Sequence, residues 1–90
     1  MNFSHIDPIV RAWSRQRRIP LCTQYRDEEV RSFRLDGASG KKAQVWIEVS
    51  VGIEVHAWDY KKQRWSSQAT ADNLSDKLDV ALVYVQDWTR

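Results

Sequence analysis

A chain of 90 residues has room for one domain and one modest core, and a hydrophobic share of 42% beside 29% charged residues is that of a globular protein rather than a disordered or fibrous one. A net charge of +2 is too small to argue for nucleic acid by itself. Cys22 is the lone cysteine, which excludes an intrachain disulfide and a cysteine-based metal site, and no run approaches the ~18 apolar residues of a membrane span.

Met1–Val10 lacks the basic-then-apolar pattern of a signal peptide. With the single cysteine, this leads to the expectation of a cytoplasmic protein. Asp7-Pro8 then opens a helix over about 8–17. Asp7 suits the N-cap, and Pro8 suits the first helical position, where its missing N–H costs nothing. Ile9, Val10 and Trp13 share one face, while Arg11, Arg15 and Arg18 follow at helical spacing on another, with Arg17 nearby. Pro20 biases Ile19 away from helical geometry and ends the element.

Leu21–Arg26 and Val30–Asp36 read as two strands. Placing Tyr25 opposite Arg31 sets Thr23 against Phe33 and Leu21 against Leu35, which gives one largely apolar face. The stretch from Asp36 to Lys42, DGASGKK, is a flexible loop by composition. It fails as a phosphate-binding loop on spacing, on the missing Ser or Thr after Lys41, and because no helix follows.

Gln44–Tyr60 is the central hairpin. Val45, Ile47 and Val49 alternate with Trp46, Glu48 and Ser50, and Ile53, Val55 and Ala57 alternate with Glu54, His56 and Trp58. A two-residue loop would mix apolar and polar side chains on both faces. A three-residue loop, Ser50-Val51-Gly52, pairs Val49 with Ile53, Ile47 with Val55 and Val45 with Ala57. Gly52 then sits where such loops favour positive φ. The same register sets Trp46 opposite His56, Glu48 opposite Glu54, and Gln44 opposite Trp58.

Arg64–Gln68 supplies a possible fifth strand after the polar Lys61-Lys62-Gln63 turn. A second helix is expected over about 72–88, with Leu74, Leu78, Ala81, Leu82 and Val85 in one stripe continued by Trp88. Asp72, Asp76, Lys77 and Asp79 face away. The whole is an α+β two-layer sandwich: N-terminal helix, an antiparallel meander of four strands, or five if Arg64–Gln68 joins it, and a C-terminal helix. Both helices are expected on the aliphatic face of the hairpin. This order resembles the double-stranded RNA-binding domain in outline. The second helix begins Ala71-Asp72-Asn73-Leu74-Ser75-Asp76, acidic where that domain uses lysines, so the chain is not assigned to it.

No reaction motif is present. His5 falls in an N-terminal segment expected to fray, and His56 has no Ser or Cys nucleophile that the strand pattern places beside it, so no enzymatic activity is expected. His56, Glu48 and Glu54 offer three ligand atoms without a recognised spacing, and no metal or cofactor is assigned. The outer hairpin face is different. Two indoles beside charges, on a face that both helices leave open, mark a contact surface. The expected function is a small protein–protein interaction module (an inhibitor, an adaptor or an immunity-type partner) that uses Trp46, His56, Trp58, Glu48 and Glu54. Its partner is another protein or a second copy of the chain. The alternative is nucleic-acid binding through Arg11, Arg15, Arg17 and Arg18: residues 1–42 carry nine Lys/Arg against five Asp/Glu, net +4, and residues 43–90 carry five against seven, net −2.

Overall fold

The computed structural model describes residues 1–90. A 3-10 turn, Phe3–His5, leads into α1 (Asp7–Arg17). Five strands follow: β1 (Cys22–Tyr25), β2 (Glu28–Asp36), β3 (Lys42–Val49), β4 (Ile53–Trp58) and β5 (Gln63–Ala69). The chain closes with α2 (Leu74–Trp88). The strands form one antiparallel meander in the order β1-β2-β3-β4-β5, so the fifth strand is part of the sheet.

Both helices lie on one side. The core is formed by Val45 and Ile47 of β3, Ile53, Val55 and Ala57 of β4, and Leu74, Leu78, Ala81, Leu82 and Val85 of α2, with Ile6, Val10 and Trp13 at the α1 end. Each sheet residue comes from the aliphatic parity of its strand, because alternate side chains point to opposite faces. The helix stripe does the same at 3.6-residue spacing.

The hairpin register is as its pattern requires. Val49 pairs with Ile53, Ile47 with Val55, Val45 with Ala57, Trp46 with His56, Glu48 with Glu54 and Gln44 with Trp58. The loop is Ser50-Val51-Gly52, but its glycine is not in the left-handed region. The turn closes instead through a bond donated by Ser50 N–H to the Gly52 carbonyl at 3.0 Å.

Four local expectations are corrected. The first is the β1–β2 register: Tyr25 pairs with Glu28, Gln24 with Glu29 and Cys22 with Ser32, with an irregularity between Cys22 and Gln24. The chain reverses tightly through Arg26-Asp27, with Arg26 at φ 56°, which shifts the pairing and leaves Tyr25 exposed. The second is the helix start. Asp7 is the first helical residue and Ile6 is the cap, without a side-chain capping bond. The Asp7 carboxylate is drawn to Arg31, whose Nε and Nη2 donate to it at 2.6 and 3.0 Å. The third is Asp79. It faces α1, accepting from Trp13 Nε1 at 2.9 Å and Arg17 Nη2 at 2.6 Å. The fourth is His5, which is held in the 3-10 turn by a capping box with Asn2.

Gly37 has a fixed role in its loop. A Cβ there would stand 1.8 Å from the Thr89 carbonyl oxygen. The end of α2 is therefore seated against the β2–β3 connection, and Thr89 is buried with its hydroxyl donating to the Val85 carbonyl at 2.8 Å.

Candidate functional site

The sheet face away from the helices carries side chains of the opposite parity. Its central cross-strand row is Ser32, Trp46, His56 and Ser66, one residue from each of β2 to β5. The neighbouring row is Arg34, Gln44, Trp58 and Gln63. On the other side Glu48, Glu54 and Gln68 continue the face.

Aromatic rings run diagonally across it. Trp46 stacks on the His56 ring, with centroids 4.9 Å apart and planes 21° apart. Trp58 meets Trp46 edge-to-face at 6.2 Å and 85°. Tyr60 lies 4.8 Å from Trp58. Opposite and diagonal neighbours on adjacent strands are within reach of large rings, so strand register brings Trp46, His56 and Trp58 together, and the turn after β4 adds Tyr60. Gln44, Trp46, Trp58 and Gln63 line a shallow open pocket of about 320 Å³. Burial holds the Tyr60 hydroxyl above its ordinary pKa, with Arg34 opposing the shift.

Trp46 and Trp58 are both half-buried, and neither belongs to the core or the residues packed against it. The other three tryptophans are on the helix side. Trp13 is buried, and Trp65 and Trp88 pack on either side of Tyr84 of α2.

Like Ser32 in the same row, His56 is buried on the outer face. Its Nε2 lies 3.3 Å from Glu48 Oε2 and 3.3 Å from Glu54 Oε2, and its Nδ1 is buried without a partner. The sheet brings together all five side chains expected at the contact face: Trp46, His56, Trp58, Glu48 and Glu54. It adds Tyr60, Gln44 and Gln63. Tyr60 was not detectable from strand parity, because it lies beyond the end of β4 in the turn, with φ 68°. Gln63 was not detectable, because its place opposite Trp58 depends on a shift in the β4–β5 register between Ala57 and Trp58.

No nucleophile is bonded to His56. Ser66 is its cross-strand neighbour on β5 yet makes no hydrogen bond to it. Cys22 is three strands away, roughly 14 Å at the usual strand spacing, and is exposed.

The basic helix face has a different character. Arg17 is tied to Asp79 and lies over the Trp13 ring at 5.8 Å. Arg11, Arg15 and Arg18 are exposed and form no ion pair. Arg11 borders a polar cleft with Arg31, Asp27, Glu28 and Glu29, so acidic groups lie close to that end of the ridge. No helix is long and apolar enough to cross a membrane. Comparison of the chain with protein-family models, with characterised proteins and with solved structures finds no match.

Proposed function

We propose that the chain is a protein-interaction module, in the manner of an inhibitor, adaptor or immunity-type protein, and that it binds through the outer sheet face. The observation that carries this reading is the placement of Trp46 and Trp58. They stand on the one sheet face that neither helix covers, while the remaining tryptophans serve the helix side. Partly exposed indoles on a rigid sheet lose little conformational entropy when covered, and Trp is enriched where binding energy concentrates. Glu48 and Glu54 flank them and favour a partner surface that carries positive charge.

Binding is proposed in preference to catalysis, because the histidine on this face has carboxylate neighbours but no bonded nucleophile. The test is the double variant W46A/W58A. Both side chains lie outside the core, so the fold should persist by circular dichroism while association with a partner, or self-association in sedimentation, is lost. Retention of every association by a folded double variant would contradict the reading.

A second reading, nucleic-acid binding along α1, draws on Arg11, Arg15 and Arg18, which have no ion-pair partner. It predicts an affinity for duplex RNA or DNA that falls steeply with salt. No binding at low salt removes it.

A further inference from the structure

Glu48, Glu54 and His56 are brought together by the β3–β4 register alone. Their three donor atoms lie within 4.8 Å of one another. We propose that they form a site for a divalent transition ion of the Zn²⁺ class, bound through His56 Nε2 and one carboxylate oxygen from each glutamate. This inference does not depend on the protein-interaction reading.

Two of the three spacings fit the ion as they stand. Zn²⁺ bonds of about 2.0–2.1 Å to nitrogen and oxygen set tetrahedral ligand atoms roughly 3.3–3.4 Å apart. Nε2 already stands 3.3 Å from Glu48 Oε2 and 3.3 Å from Glu54 Oε2. The two carboxylate oxygens, within 4.8 Å of each other, close on the ion by side-chain rotation of the two glutamates, which are not buried.

The side chains are held for the purpose. The imidazole is only 10% exposed, so it has given up most of its contact with water. Trp46, stacked on it, fixes the plane that aims Nε2 between the two carboxylates. The glutamates are more open, at 60% and 45% exposed, which leaves an approach from solvent and room for a water as a further ligand.

The charge balance points the same way. Two carboxylates directly opposite each other across a strand pair repel, and neither meets a lysine or arginine. A neutral imidazole donates from Nε2 to at most one of them. An imidazolium sets +1 against −2 and still has a buried Nδ1–H without an acceptor. A divalent ion with neutral imidazole sets +2 against −2 and satisfies Nε2 and both carboxylates together. It leaves Nδ1–H in the same state as the imidazolium does. On binding, an imidazolium releases its Nε2 proton to solvent, whereas the neutral Nε2–H tautomer gives up that proton and takes one from solvent at Nδ1, with no net release; either way the bound ring is neutral.

The experiment is calorimetric titration of the full chain with zinc chloride, paired with thermal unfolding with and without the ion. The expected result is one ion per chain and a raised Tm in its presence. Affinity should fall in H56Q, E48Q and E54Q by at least the roughly 10–100-fold that outer-shell partners of a metal are worth. H5Q, on the 3-10 turn, should bind as the parent does. E48Q and E54Q carry a second signature: each relieves the like-charge pair, so each should raise the metal-free Tm while losing the zinc-dependent increase. Absence of zinc binding to the folded parent chain would overturn the proposal. So would zinc binding that survives both H56Q and the paired glutamine substitutions.

Discussion

At the scale of single residues, the most consequential group is one that strand alternation places on the helix side. Arg31 occupies a position on β2 that an apolar residue would ordinarily fill. It is 4% exposed. Asp7 accepts two of its N–H groups, Glu29 accepts at 2.8 Å, the Val30 carbonyl accepts at 2.7 Å, and the Phe3 ring lies 4.6 Å away. A buried charge is tolerated only with such partners. Those bonds hold the Arg31 pKa above its ordinary value, with Asp7 the largest influence. In return, hydrogen bonds from Arg31 hold the Asp7 carboxyl below its ordinary pKa. The sign follows. A depressed folded pKa favours the ionised form in the fold, so the contribution is complete above the unfolded carboxylate pKa of about 4 and is lost as pH falls through the folded value. D7N should therefore cost about 2–3 kcal/mol near neutral pH, because a buried guanidinium loses a charged partner. It should also flatten the loss of stability below pH 4, about the unfolded value, relative to the parent. Urea unfolding at several pH values reads both. The glycines supply a second pair. G37A sets a Cβ against the Thr89 carbonyl and should cost about 1–3 kcal/mol. G52A meets open space outside the left-handed region and should change stability within about 0.5 kcal/mol.

At the scale of elements, the register of the central hairpin was legible, though the conformation of Gly52 in its loop was not. Its alternation is strict on both strands, and a slip of one residue would turn a whole strand over. The second helix was legible for the same reason, through a stripe of five buried residues. The β1–β2 pairing was not. Its strands carry few aliphatic residues, and the apolar pattern was completed by setting Tyr25 opposite an arginine. The Arg26-Asp27 reversal has no glycine to announce a positive φ. The clamp between the helices was missed as well, because Asp79 sits at the edge of a stripe whose other acids are solvated. That clamp is testable. D79A deprives the buried Trp13 indole N–H of its acceptor and should cost about 1–2 kcal/mol. R17A removes only a solvent-exposed pair and should cost less than about 1 kcal/mol. Equal effects from the two variants would show that the indole bond contributes nothing.

At the scale of the whole molecule, the division of labour between sheet faces is the central claim. Both helices and most of the apolar mass lie on one face, and the other keeps Trp46, Trp58, Tyr60 and the Glu48–His56–Glu54 group. The sequence contained this division because the hairpin's two parities differ in chemistry. It did not contain the fourth pocket wall, Gln63, which depends on the β4–β5 pairing. Nor did it separate Arg17, committed to Asp79, from the free Arg11, Arg15 and Arg18. The most direct measurement is site-specific photo-crosslinking in cells, with a photoreactive residue at Gln63, beside the pocket on the outer face, or at Asp76, exposed on α2. The predicted result is a discrete adduct from Gln63 that disappears in the W46A/W58A background, with no matching adduct from Asp76. Adducts that arise from Asp76 alone, or a Gln63 adduct that persists without both indoles, would contradict the outer sheet face as the contact surface.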